Sequence, residues 1–106
     1  MFFTPKPSIT PEQAAAGVAR HELTLVDVRQ PAELRAGRVR GALNIPLTQL
    51  RARLHELEHD RQVAFLCHSG ARSSRATAIA LKAGYDAVNV RGGMIAWNRA
   101  GLPLTR

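Results

Sequence analysis

Cys67 opens the run Cys67-His68-Ser69-Gly70-Ala71-Arg72-Ser73, and it is the one cysteine of the chain. The apolar stretch Val63-Ala64-Phe65-Leu66 leads into it, and a helical pattern from Ser73 to Ala83 follows. A thiol has an unperturbed pKa of roughly 8.5, and only the thiolate attacks, so a working site must lower that value. A helix beginning near Ser73 directs unpaired N–H groups at the loop centre. Arg72 adds a permanent positive charge. Gly70 lets the backbone curl so that successive N–H groups point inward. The expected object is a cradle with Cys67 Sγ at its centre, able to hold a thiolate, a persulfide or a bound oxyanion.

The neighbours admit plainer roles. A free cysteine is often a small buried hydrophobe, but its place between strand and helix, with Gly70 and Arg72 beyond, outweighs that reading here. His68 reads as a solvent-facing loop residue, because a thiolate activated by the cradle needs no base. Ser69 and Ser73 read as caps of local backbone groups, with Ser69 also within reach of a substrate. His55-Glu56-Leu57-Glu58-His59 matches the H-E-x-x-H pattern of zinc proteases. On a helix those histidines lie roughly 140° from the leucine stripe described below, so they face solvent, and no metal is expected.

The elements that must position the loop alternate along the chain. Residues 1–7 are Pro-rich and read as an irregular lead-in to one domain over 8–106. Ser8-Ile9 is a short strand running into a helix with Thr10 as N-cap, Pro11 as first helical residue and Gln13 closing a capping box. Leu23 to Val28 reads as a buried strand. Pro31-Ala32-Glu33-Leu34 begins a helical turn ended by Gly37, and Ala42 to Ile45 is a strand stopped by Pro46. Leu47 to His59 reads as a helix, with Leu47, Leu50, Leu54 and Leu57 on one stripe. Gln62 to Leu66 and Ala87 to Val90 are the last strands, and the helix after the cysteine loop ends at Gly84 in a left-handed cap. A final helix runs from Gly92-Gly93 to Gly101, with Trp97 and Met94 as core residues.

Short continuous apolar strands between helices predict an α/β fold. The expected architecture is a mainly parallel central sheet of about five strands with helices on both faces. Ligands of such sheets bind beyond the carboxyl ends of the strands. Arg29, Cys67 and Arg91 fall there and are expected to share one rim.

Composition narrows the classes. The chain has 106 residues, 45% of them hydrophobic and 22% charged, as a single soluble domain would. No apolar run approaches the roughly 20 residues of a membrane span, and Thr4-Pro5-Lys6-Pro7 interrupts any signal-peptide core. One unpaired cysteine suits a reducing compartment, so a cytoplasmic protein is expected. The net charge of +7 comes from arginines spread along the chain rather than clustered, which gives no nucleic-acid surface. No strong exposed apolar stripe points to an obligate dimer, so a monomer is expected.

The residues together resemble the single-domain rhodanese family of sulfurtransferases. The loop Cys67 to Ser73 is similar to that family's active-site loop. Leu25-Val26-Asp27-Val28-Arg29, with Pro31 and Glu33, is similar to its first motif. Gly41-Ala42-Leu43-Asn44-Ile45-Pro46 is similar to a second, and Gly92-Gly93-Met94 through Trp97 to Pro103 to its C-terminal signature. The likeness runs from about Ser8 to Leu104. One departure is Arg38-Val39-Arg40, where many relatives carry His-Ile-Pro.

The resemblance implies a ping-pong cycle without metal or cofactor. Cys67 takes the outer sulfur of a small anionic donor such as thiosulfate, or of a persulfide, and an external thiol, cyanide or protein removes it. It implies that His68, Ser69, Gly70, Ala71, Arg72 and Ser73 form the substrate loop, that Arg72 helps bind the donor, and that Asp27 and Arg29 support it by ion pairing, with Arg29 facing the pocket. Phosphatases of the same fold use a Cys-x5-Arg loop; the shorter spacing here implies sulfur rather than phosphate. Relatives that use mercaptopyruvate carry Gly-Ser-Gly-Val-Thr after the cysteine, which this loop lacks. The alternative within the same chemistry is a persulfide carrier that relays sulfur to a partner protein with little turnover.

Overall fold

The computed structural model describes residues 7–106, so the lead-in expected at 1–7 lies, apart from Pro7, outside the described residues. Five strands form one sheet: β1 (Ser8–Ile9), β2 (Leu23–Asp27), β3 (Leu43–Asn44), β4 (Gln62–Leu66) and β5 (Ala87–Val90). Their order is β1-β5-β4-β2-β3, and every pairing is parallel. The central strands β4 and β2 run side by side over their full length, Leu23 against Gln62 through Asp27 against Leu66.

Both faces of these strands are covered, which is why they read as unbroken apolar runs. Val26, Val28, Val63 and Phe65 face one layer with Leu50, Ala76 and Ala80. Leu23, Leu25, Ala64, Leu66, Val88 and Val90 face the other with Ala14, Met94 and Trp97. The first layer carries α2 (Leu50–Arg53) and α3 (Ala71–Lys82); the second carries α1 (Pro11–Ala19) and α4 (Gly93–Arg99). Burying one large apolar side chain contributes about 1.5–3 kcal/mol, and Phe65 and Trp97 are both fully enclosed. The Trp97 indole N–H donates to Pro103 O at 3.2 Å, tying the end of the chain to α4.

Local signals set the helix ends. Thr10 Oγ1 accepts from Gln13 N–H at 3.1 Å, and Gln13 Oε1 accepts from Thr10 N–H at 2.9 Å, the reciprocal box expected. Gly84 follows α3 with φ +90°, the left-handed conformation that glycine tolerates without strain. No helix among the described residues is long and apolar enough to cross a membrane.

Two expectations need correction. α3 begins at Ala71 rather than near Ser73, with Gly70 at φ +108° directly before it. The helix expected over 47–59 is a chain of short pieces: a 3-10 turn Leu47–Gln49, the single turn of α2, and a second 3-10 turn Leu54–Glu56. Its leucines still face the core, with Leu50 and Leu57 buried and Leu47 and Leu54 packed against them.

The last of these turns is fastened from far along the sequence. The Tyr85 hydroxyl lies 2.7 Å from Leu54 O and 3.3 Å from Leu57 O and donates chiefly to the first. Leu54 O also accepts Leu57 N–H at 2.9 Å, so Tyr85 clamps the end of the 3-10 turn. His59, beyond the last turn, stacks on the Tyr85 ring with centroids 3.8 Å apart. His55 and His59 therefore do not share a helix face, and the spacing that suggested a zinc motif has no helix beneath it. Tyr85→Phe is expected to lower stability by about 1–2 kcal/mol, read as a lower urea midpoint with an unchanged slope.

Candidate active site

β4 ends at Leu66, and the next residue, Cys67, begins the loop at the carboxyl edge of the sheet. Its side chain is only 1% exposed, so whatever reaches Sγ must be small or come through a narrow opening. Inside, the sulfur is surrounded by donors. Gly70 N–H points at Sγ from 3.1 Å, Ser73 N–H from 3.3 Å, and the Ser73 hydroxyl lies 3.2 Å away. Ser69 N–H adds a further favourable contact.

The early start of α3 explains this convergence. Ser74 N–H already closes a helical bond to Gly70 O at 3.0 Å. Ser73 N–H belongs to the first turn and has no helical acceptor, so it is free for the sulfur. Ser73 is therefore not a helix cap, as its type suggested; its hydroxyl faces Sγ, and α3 needs no side-chain cap at that end.

Burial pushes the Cys67 thiol up. The Ser73 hydroxyl and the N–H groups of Ser73, Gly70 and Ser69 push it down by more, and the balance lies below the ordinary thiol value. These hydrogen bonds favour the anionic form of the sulfur. Because the folded thiol is the more acidic one, the stability it confers is complete above the unfolded pKa and is lost as pH falls through the folded pKa.

Something must keep the loop N–H groups turned inward. In a tight loop that requires the carbonyls to turn outward, where they need partners of their own. The first turn of α4 supplies them. Met94 N–H donates to Cys67 O at 2.8 Å and Ile95 N–H to His68 O at 3.1 Å. Gly93, at φ +58°, permits this approach: a methyl group there would lie 2.5 Å from Cys67 O and 2.6 Å from His68 O. Gly93 is buried behind the loop and so backs the cradle rather than lining it.

Arg72 does not present an unpaired charge to the loop. Its guanidinium grips Glu33 through Nη1–Oε1 at 2.6 Å and Nη2–Oε2 at 2.9 Å, across 39 residues. Glu33 Oε1 also accepts Gln30 N–H at 2.9 Å. The Arg72 hydrogen bonds, partly opposed by burial, hold the Glu33 carboxyl down at about 2. The pair is therefore intact wherever the cysteine titrates. Glu33 entered the sequence reading only as part of a motif; a carboxylate three residues into a helical turn gives no sign of a partner so far away.

Arg29 was expected to face the pocket and does not. It is 5% exposed and folds back on the fully buried Asp27, with Nη2–Oδ2 at 2.8 Å and Nε 3.1 Å from both carboxylate oxygens. Its remaining N–H groups reach Glu33 O at 3.3 Å and Gly37 O at 3.0 Å. The Asp27–Arg29 pair thus pins the 3-10 turn Pro31–Ala36 that carries Glu33. Asn44 adds a second tie, its amide donating to Asp27 O and Arg29 O, both at 2.9 Å. Arg91 leaves the expected rim as well, turning to Ser8 Oγ at 3.0 Å. His68, Ser69 and Ala71 are exposed at the lip of the loop. A recess of about 410 Å³ bounded by Val18, Val39, Trp97 and Leu104 contains none of the loop residues.

Gly93→Ala is expected to lower stability by about 2 kcal/mol or more, from a strained φ and carbonyl clashes. It is also expected to slow alkylation of Cys67 at neutral pH, because displaced carbonyls release the loop. Denaturant titration and iodoacetamide kinetics on the same protein measure both.

Comparison with known proteins identifies the family and the fold. The sequence pattern of the rhodanese-like domain matches residues 10–100. A sulfurtransferase of Allochromatium vinosum is 45% identical over 84 residues, covering 78% of each chain. The putative sulfurtransferase YtwF of Bacillus subtilis is 35% identical over 74% of this chain and 77% of its own. The crystal structure of a rhodanese-related protein from Thermoplasma volcanium superposes with a TM-score of 0.87 at 32% identity, over 93% of this chain and 97% of that one. The chain belongs to the rhodanese-like domain family, with sulfur transfer as its general chemistry.

Proposed function

We propose that the protein moves a sulfane sulfur from a small donor, thiosulfate or a persulfide, to an external thiol or cyanide through a persulfide on Cys67. The observation that carries this reading is the set of donors converging on Sγ from Gly70 and Ser73. They stabilise a thiolate at Sγ, while a persulfide carries its negative charge on the outer sulfur, one S–S bond beyond Sγ, where the N–H groups of the same loop are the nearest source of hydrogen bonds.

In the first half-reaction the Cys67 thiolate attacks the outer sulfur of the donor. One S–S bond forms and one breaks, and the electron pair leaves with the remainder of the donor, sulfite in the case of thiosulfate. In the second, the acceptor attacks the outer sulfur of the persulfide and the Cys67 thiolate returns with the bonding pair. The hydrogen bonds that lower the Cys67 thiol raise its thiolate fraction without a general base, so no step of the cycle is assigned to His68. With one cysteine in the chain, the persulfide cannot resolve as an internal disulfide, and the acceptor comes from outside.

A second reading has an observation of its own. Arg72 is engaged by Glu33, which weakens capture of a free anion and favours a persulfide carrier loaded by, and delivering to, partner proteins. Both readings share the Cys67 persulfide and differ in turnover.

The test is the intact mass of the reduced protein before and after thiosulfate or a small persulfide, with Cys67→Ser alongside. Gain of one sulfur atom, removed by cyanide and absent from the variant, is expected. Rapid repeated turnover identifies the enzyme, and loading without turnover the carrier. No gain with any donor would contradict both.

A further inference from the structure

We propose that Glu33 sets the charge selectivity of the sulfur donor, disfavouring dianions relative to monoanions; this deepens the sulfur-transfer reading and rests on it. Of the cations the sequence puts near the loop, the two expected at the rim turn elsewhere and the third is paired. Arg29 is consumed by Asp27, and Arg91 turns to Ser8. Arg72, the one cation inside the loop sequence, is matched by Glu33 through two hydrogen bonds.

That carboxylate is a built part of the site rather than a chance counterion. Its own oxygen is fixed by Gln30 N–H. The turn that carries it is held at Glu33 O and Gly37 O by the buried Arg29. A donor approaching Sγ therefore meets the thiolate, the Arg72 guanidinium and the Glu33 carboxylate, a local sum of one negative charge instead of none. Repulsion scales with the charge of the donor, so thiosulfate, a dianion, is penalised twice as strongly as a monoanion. Both side chains of the pair are 35% exposed. Water screens them in part, so the effect is a bias between donors and not an exclusion.

The experiment is the single-turnover rate of persulfide formation with thiosulfate and with benzenethiosulfonate, a monoanion, in wild type, Glu33→Gln and Glu33→Asp. Each donor gives up its outer sulfur to the Cys67 thiolate, and the electron pair of the broken S–S bond leaves with sulfite or benzenesulfinate. In Glu33→Gln the ratio of the thiosulfate rate to the benzenethiosulfonate rate is expected to rise roughly three- to tenfold, the effect of removing one partly screened charge beside Arg72. Glu33→Asp, which keeps the charge, is expected to hold the wild-type ratio. An unchanged or falling ratio in Glu33→Gln would overturn the inference and leave Glu33 as a brace, while persulfide formation itself stands.

Salt separates the local charge from the net +7 of the chain, which by itself makes added salt slow the reaction of any anion. The slowing of the thiosulfate reaction by inert salt is expected to be steeper in Glu33→Gln than in the wild type and Glu33→Asp, and equal slopes in the three proteins would overturn the inference. Absence of persulfide with both donors in the wild type would overturn the sulfur-transfer reading and this inference with it.

Discussion

The structure depends on where two backbone carbonyls point. A loop of seven residues that aims its N–H groups at one sulfur must send its carbonyls the other way, and a buried carbonyl without a partner costs about 1–3 kcal/mol. The carbonyls of Cys67 and His68 find theirs in the N–H groups of Met94 and Ile95. The first turn of one helix thus completes the hydrogen bonding of the loop before another. Gly93 makes the contact possible, β5 sets the height at which α4 begins, and β4 sets the height of the cysteine. A parallel sheet suits this arrangement because β4 and β5 end on the same edge.

Charge at the site is balanced more than accumulated. The chain carries a net +7, yet the arginines around the loop are matched by Glu33 and Asp27. Stabilisation of the sulfur anion therefore falls to oriented N–H and O–H dipoles, which need no net charge and little reorganisation when the sulfur changes state. The Asp27–Arg29 pair lies too deep to act on a substrate. Its role is mechanical: it joins the end of β2 to the turn bearing Glu33, and through Glu33 to Arg72 and α3. A buried ion pair of this kind is costly to break, about 3–5 kcal/mol when one partner is lost.

Much of this was legible in the sequence because it is local. Apolar runs marked the strands, Thr10 and Gln13 marked the start of α1, and Gly84 marked the end of α3. The cysteine between strand and helix announced the cradle, since strand end, glycine and helix start lie within eight residues of one another. What escaped the reading was long-range. Tyr85 clamps the 3-10 turn that ends the 47–56 segment from 31 residues away, through Leu54 O. Glu33 claims Arg72 from 39 residues away. Arg29 sits beyond a strand end, as pocket residues do, but the carboxylate two positions before it draws the guanidinium inward. The start of α3 was placed two residues late because Ala71 and Arg72 carry no capping signal, and the left-handed Gly70 replaces one.

Converging donors lower the Cys67 thiol below its ordinary value and so favour its anion. The most direct measurement is the ultraviolet absorbance of the thiolate against pH in the reduced protein, with Ser73→Ala for comparison. The wild type should titrate below the ordinary thiol value, because the hydrogen bonds from Ser73, Gly70 and Ser69 outweigh burial. The variant, which loses the hydroxyl 3.2 Å from Sγ, should titrate higher. A wild-type thiol that titrates at or above the ordinary value, or a variant that titrates with it, would contradict the account.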